Sequence, residues 1–336
     1  MAITGRQLVF QSDRTVTVEE YPVPAPEPRQ ILVEVARSCV SAGTEMNFFR
    51  DHPPTGPLQR ATLGYMTVGR VVQVGADAGD YAPGDRVLTC GHHCSHWLVD
   101  LDDPGSSRWY IAHIADAIPD DMAGFAILGD VALHGVRRAR LQIDEAVAVF
   151  GAGIVGQLTI QFARLSGAYP IVVVDLYDSR LDLARQSGAT HVVNPARDDP
   201  VRAIKEITGG GAQAVFHCAP AAQVLQTALA AAADRGKIVL TGSAPGTAEI
   251  GLQVELLRHE LSIIGVYETG LTAPHPYWPW TRQRNRQACL RLLATGQLRL
   301  DQHITHVVPF TDAGAIVDMM LHGSGDEWMG VVFRWD

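Results

Sequence analysis

The stretch Glu145-Ala146-Val147-Ala148-Val149-Phe150-Gly151-Ala152-Gly153-Ile154-Val155-Gly156 decides the fold. An apolar, β-branched run stops at Gly151, and Gly151, Gly153 and Gly156 complete the pattern G-x-G-x-x-G. A helix-like segment follows, then a second apolar run, 171–174, that ends in Asp175, 19 residues beyond the last glycine. A glycine triplet alone is weak evidence. Strand, glycines, helix, strand and acid in this order are the context that a dinucleotide fingerprint requires. Gly151 permits the tight turn, Gly153 lets backbone approach a pyrophosphate, and Gly156 lets helix pack on strand. The helix start at Ile154 and Val155 then offers N–H groups and a positive dipole end to the phosphates. Asp175 is expected to accept hydrogen bonds from the adenosine ribose and to repel a 2′-phosphate, which predicts NAD rather than NADP. Arg180, five residues on, is taken with this cofactor-binding set. The bland alternative is a strand–turn–helix that binds nothing.

On either side the texture differs. The first hundred residues read as short strands (7–10, 15–19, 31–36, 67–74 and 86–89) punctuated by Pro22, Pro24, Pro26 and Pro28. Helices are expected at 121–128 and 131–139. Beyond the fingerprint, strands alternate with helices as far as about residue 266, the pattern of a parallel sheet covered on both faces. A helix at 284–294, then a closing helix (311–321) and strand (330–333), follow a proline-rich break. The economical partition is a β-rich catalytic domain from 1–122 and 268–336, interrupted by a dinucleotide-binding domain over 123–267. Ligands of such sheets bind beyond the carboxyl ends of the strands, where a cleft between the lobes is expected. Cys218, Gly242 and Ser243 end later strands and are expected near the nicotinamide half; a plain strand-end turn is the alternative for each.

Composition sets outer limits. With 336 residues, 47% hydrophobic and 19% charged, the chain reads as an ordinary globular protein with room for two domains. A net charge of −9 argues against a nucleic-acid partner. No apolar run is long enough to predict a membrane span, and no apolar signal core opens the chain. Five cysteines without framework spacing suit a reducing cytoplasm.

At this point the chain resembles the medium-chain dehydrogenase/reductase family, the fold of zinc alcohol dehydrogenases. The residues that carry the resemblance are the Pro22–Pro26 opening, Val40–Glu45, Gly64, Gly69-Arg70-Val71-Val72, the turn Gly84-Asp85-Arg86-Val87 and the nucleotide fold. The resemblance implies a Rossmann sheet, a GroES-like β-rich domain, an oxidoreductase acting on a small molecule, and a homodimer. Zinc members carry a Cys-Gly-Thr-Asp-like stretch and a Gly-His-Glu stretch that supply metal ligands. Here the corresponding segments read Ser41-Ala42-Gly43-Thr44-Glu45 and Gly64-Tyr65-Met66, and Ile127-Leu128-Gly129-Asp130 lies near the third ligand position. Catalytic zinc needs three protein ligands, so no metal is expected. The four-cysteine structural zinc lobe is missing too. The nearest likeness is to zinc-lacking members related to bacteriochlorophyllide dehydrogenase. One cluster, Cys90, His92, His93 and Cys94, has zinc-binding residue types but not the usual spacing. The alternative is a loop with a histidine or two facing the cleft.

Without zinc, the alkoxide of an alcohol dehydrogenase needs another proton acceptor and donor set. Tyr65 is the first candidate, since the resemblance places it where a metal ligand stands; filling the vacated space is its bland role. His93 is the second, because it titrates in the right range. Thr44 falls where the family has a hydroxyl that relays the substrate proton. Ser41 is a weaker candidate, and Glu45 is read chiefly as a structural acid. His134 reads as structural, and the aromatic segment 274–280 as either a pocket wall or a rigid surface loop. The leading expectation is an NAD-dependent, zinc-independent interconversion of a secondary alcohol and a ketone on a polyol, sugar, cyclitol or natural-product intermediate. The alternatives are reduction of a conjugated enone or quinone, and NADH binding without turnover.

Overall fold

The computed structural model describes residues 3–50, 59–102, 110–267 and 273–336. The chain divides into two compact units, Met1–Ile127 with Thr269–Asp336, and Leu128–Glu268. The sequence reading put the first boundary at 122/123. The division by contacts lies at 127/128, within the continuous helix Ala126–Ala139. The helices expected separately at 121–128 and 131–139 are a one-turn helix, Asp120–Ala123, and this single longer helix.

The first unit begins with β1 (Ile3–Phe10) and β2 (Val16–Val23), an antiparallel pair. Next come β3 (Gln30–Cys39), α1 (Ala42–Phe49), β4 (Thr67–Val74), β5 (Arg86–Thr89), β6 (His96–Asp100), β7 (Ile111–His113) and α2 (Asp120–Ala123). The helix α3 (Ala126–Ala139) crosses from the first unit into the second, which proceeds through β8 (Val147–Phe150), α4 (Ile154–Leu165), β9 (Ile171–Val174), α5 (Asp178–Ser187) and β10 (His191–Val193). Then follow α6 (Pro200–Thr208), β11 (Ala212–His217), α7 (Val224–Ala231), β12 (Ala232–Leu240) and β13 (Ser262–Gly265). The chain returns to the first unit with α8 (Arg282–Ala294), β14 (Ile304–Pro309), α9 (Ala313–His322) and β15 (Gly330–Arg334).

In the second unit six strands lie in the order β10-β9-β8-β11-β12-β13, every pairing parallel. This is the doubly wound order with β8 at the point where the winding reverses, the place such sheets use for ligands. β8 and β9 are buried along their whole length, so their runs are continuously apolar rather than alternating. Turn chemistry sets the helix ends. Asp199 caps α6 by accepting from the N–H groups of Val201 and Arg202, and Pro200 occupies its first position. Gly188 and Gly209 end α5 and α6 with φ of 116° and 73°.

Among the described residues of the first unit a seven-stranded sheet runs β14-β15-β3-β4-β5-β7, with β6 also paired to β3. Local preference does not predict α1, since Gly43 and Thr44 weaken it. Packing forms it instead. Met46 and Phe49 are buried, and Phe49 meets Phe10 of β1 with ring centroids 5.1 Å apart. Each such burial contributes about 1.5–3 kcal/mol. Among the described residues no helix is long and apolar enough to cross a membrane.

Candidate active site

The glycine turn after β8 is built by backbone contact. Gly151 has φ of 95°, and a Cβ there would lie 2.7 Å from the Ala219 nitrogen. A Cβ on Gly156 would lie 1.9 Å from the Gly151 carbonyl oxygen, so α4 can approach β8 only because that atom is missing. Gly153 differs: the nearest atom to an added Cβ is an Arg180 guanidinium nitrogen, 3.9 Å away. Gly153 precedes α4, and no side chain caps the helix that begins at Ile154 and Val155. An open, uncapped helix start with one guanidinium beside it suits a pyrophosphate. Asp175 ties the turn to the end of β9. One carboxylate oxygen accepts from the Ala152 N–H (2.7 Å) and the other from the Tyr177 N–H (3.0 Å). The Arg180 guanidinium stands 5.1 Å from the Tyr177 ring centre. These residues fit a dinucleotide.

The other strand ends are tight packing points. A Cβ on Gly242 would come within 2.7 Å of the Cys218 backbone. The Cys218 thiol lies 3.8 Å from the Thr159 hydroxyl, and burial pushes its pKa up to about 12. Ser243 is exposed.

The first unit holds the hydroxyl cluster. Ser41 immediately precedes α1, Thr44 and Glu45 lie in that helix, and Tyr65 follows Gly64, whose φ is 96°. The Tyr65 phenol is hydrogen-bonded to Ser41 Oγ and lies 3.4 Å from Thr44 Oγ1. Three of the four catalytic candidates named from sequence thus meet at one point. His93 does not join them. It is fully buried, which corrects the expectation of a histidine facing a cleft. Its Nε2 is 3.0 Å from a Glu45 carboxylate oxygen, and its Nδ1 is 2.8 Å from Ser38 Oγ. Its ring stands edge-on to Phe333, with centroids 5.2 Å apart. Ser38 also accepts from the Trp335 indole N–H at 2.9 Å. Ser38 and Trp335 were invisible to sequence reasoning, because no local pattern joins residues 297 positions apart.

The Cys90–Cys94 segment disperses. Cys90 accepts from the buried Arg286 guanidinium, and His92 Nδ1 is 3.0 Å from the Gly64 carbonyl. Cys94 bonds the His96 carbonyl, and burial pushes its thiol up to about 12. These side chains reach different partners and do not converge. In the aromatic segment, His275 and Trp278 pair backbone to backbone, His275 meets Tyr277, and Arg284 lies over Trp280. Tyr277 is exposed, and the turn closes on itself. His134 on α3 is buried, and desolvation, reinforced by Arg138 and Arg137, lowers its pKa to about 4.

Residues 155–281 match the family described as zinc-binding dehydrogenase. The chain is 29% identical over 339 residues to D-guloside 3-dehydrogenase of Escherichia coli (strain K12), covering 92% of this chain and 93% of that one. Two solved structures share the fold. One is a protein of Sinorhizobium meliloti 1021 bound to NADP, with a TM-score of 0.82, 24% identity and 99% of each chain covered. The other is an alcohol dehydrogenase of E. coli CFT073 complexed with NADH, with a TM-score of 0.81, 17% identity and 99% of each chain covered. The zinc in the family description meets a poor donor set here. Ser41, Thr44 and Tyr65 offer neutral hydroxyls, whereas zinc takes thiolate, imidazole and carboxylate. The Glu45 carboxylate beside them already serves the Ser41 N–H and His93. Among the described residues no group of three or more His, Cys, Asp or Glu side chains is placed to hold a metal ion.

Proposed function

We propose that the chain, which resembles the medium-chain dehydrogenase/reductase family, interconverts a secondary alcohol and a ketone with NAD(H) and without catalytic zinc. The observation that carries this reading is the Tyr65 phenol bonded to Ser41 and within reach of Thr44. A nicotinamide dinucleotide, held by Gly151–Gly156, Asp175 and Arg180, would supply or accept the hydride. In ketone reduction Tyr65 donates its phenolic proton to the carbonyl oxygen as that oxygen gains charge. The phenolate left behind accepts hydrogen bonds from the Ser41 and Thr44 hydroxyls, which lowers its cost, and is reprotonated from solvent. Alcohol oxidation runs these steps in reverse.

NAD is preferred over NADP on the strength of Asp175, whose charge is held in place by two backbone N–H groups. The two cofactor-bound neighbours divide on this point, so the preference rests on Asp175 alone. A sugar or polyol substrate is supported by the relative acting on D-guloside. The free thiols of all five cysteines accord with a reducing cytoplasm, and a homodimer remains the expectation of the family. The test is a panel of methyl D-guloside, sorbitol, L-threonine and cyclohexenone, each with NAD(H) and NADP(H), on protein treated with a chelator. Alcohol turnover with NAD supports the proposal. Turnover of the enone alone would move the assignment to double-bond reduction, and NADH binding with no turnover would leave a binding protein.

A further inference from the structure

Ser41 occupies the N-cap of α1 yet makes no capping hydrogen bond with its side chain. A serine there normally turns its hydroxyl onto the N–H groups of the first helical turn. In this helix Glu45 reaches back, and its Oε1 accepts from the Ser41 backbone N–H at 2.7 Å. That carboxylate replaces one half of a capping box, one residue later than usual. The Ser41 hydroxyl is thereby left for Tyr65. The other Glu45 oxygen is 3.0 Å from His93 Nε2, and both side chains are almost wholly buried.

His93 grips the second segment as well. Its backbone N–H donates to the Leu63 carbonyl at 2.9 Å. Its ring fills the place where a Cβ on Gly64 would lie, 2.9 Å from Cδ2. Tyr65 is the next residue. One histidine thus holds α1, which presents Ser41, and the 63–65 segment, which presents Tyr65. Ser38 holds its far nitrogen through a bond of 2.8 Å, and the Trp335 indole N–H in turn donates to Ser38 Oγ at 2.9 Å. A buried acid and histidine with this many satisfied atoms form a rigid mount.

We infer that Glu45 and His93 are positioning residues for the Ser41–Tyr65 hydroxyl pair: Glu45 takes over the helix-capping duty of Ser41, and His93 locks Glu45 to the backbone that carries Tyr65. This rests on the reading of Tyr65 as the group that handles the alcohol proton. Glu45→Gln preserves an acceptor for Ser41 and a polar partner for His93. Glu45→Ala removes both. His93→Asn preserves a partner for Ser38 but cannot span to Glu45, and it serves if Glu45→Ala fails to fold.

The test has two arms, both on full-length protein, the first with NADH bound and the second with NAD as the oxidant. In crystal structures, Ser41 Oγ is expected to leave Tyr65 and cap its own helix in Glu45→Ala or His93→Asn, and to stay in Glu45→Gln. An unchanged Ser41–Tyr65 bond in the first two overturns the inference. In kinetics with methyl D-guloside and NAD, kcat is expected to fall about tenfold in Glu45→Ala and to stay within about threefold in Glu45→Gln. Combined with Tyr65→Phe, the Glu45→Ala loss should largely vanish, because both act through one hydroxyl pair. Losses that multiply would show a general structural role and overturn the inference. A Tyr65→Phe enzyme with undiminished kcat would defeat the proton-path reading instead, and the crystallographic arm would still decide the positioning.

Discussion

The glycine turn packs its specification into residues 151–156. The hydroxyl cluster joins Ser41 and Tyr65, 24 positions apart, and stands on Ser38 and Trp335, 297 positions apart. The turn works through backbone: missing Cβ atoms, a φ of 95° and N–H groups at a helix start. The cluster works through side chains held by a buried network. A backbone device leaves its signature in the residues that form it. A side-chain device leaves its signature in partners that only the folded chain brings near.

The largest effect is expected where backbone meets backbone. Gly156→Val puts side-chain atoms where even a Cβ would be 1.9 Å from the Gly151 carbonyl. It should cost about 3 kcal/mol or more of stability and abolish NADH binding, read by thermal unfolding and cofactor fluorescence. Gly153→Ala, with open space at that position, should keep the fold. Equal behaviour of the two variants would break the account of the turn as a tight backbone device.

Tyr65→Phe tests the other side of the comparison. The ring volume stays and only the hydroxyl is lost, so kcat should drop about 10–100-fold. NADH affinity should hardly change, because the nucleotide turn is built separately. A parallel loss of NADH binding would mean the two regions are not independent devices.

Stability against pH probes both units. Burial lowers His134 in the second unit and His303 in the first to about 4, against an ordinary 6.5. The folded state then binds fewer protons than the unfolded chain between about pH 4 and 6.5. The contribution is therefore fully present above 6.5 and is lost as the pH falls toward 4, by about 1–3 kcal/mol per histidine. Urea unfolding from pH 7.5 to 4.5 should show this slope, and His134→Gln or His303→Gln should each flatten it. A slope unchanged in both variants would remove these histidines from the account.

Asp175→Ala is a smaller change. It should narrow the preference for NAD over NADP by roughly tenfold, about 1.4 kcal/mol, in paired titrations. Wild-type protein that binds NADPH more tightly than NADH would show that Asp175 does not set the choice. The smallest effect is expected from a chelator. Activity should persist, with no stoichiometric zinc by elemental analysis. Activity lost with one zinc per chain would overturn the hydroxyl chemistry and return attention to Cys90–Cys94.

The parallel sheet was legible because strands buried on both faces must be apolar throughout, and β8 and β9 read that way in one dimension. The same logic failed at α1, whose Gly43 and Thr44 disfavour helix and whose existence depends on Met46 and Phe49 packing in the core. At the cluster, Ser41, Thr44 and Tyr65 could be nominated from their places in a familiar pattern. His93 was nominated for its titration range and is instead a buried mount. Titration range is a property of the residue type, whereas access to substrate is a property of the fold. Glu45 was legible as a structural acid, but not what it holds.

The sequence by itself determined the nucleotide unit: glycine positions, strand runs and the closing acid follow local rules of sterics and solvation that act within a few residues. Only the tertiary structure decided that Ser41 gives its hydroxyl to Tyr65 rather than to its own helix. That choice depends on a carboxylate, an imidazole and an indole brought together from distant positions, and the energy of a buried hydrogen bond depends on which partners are present once water has gone.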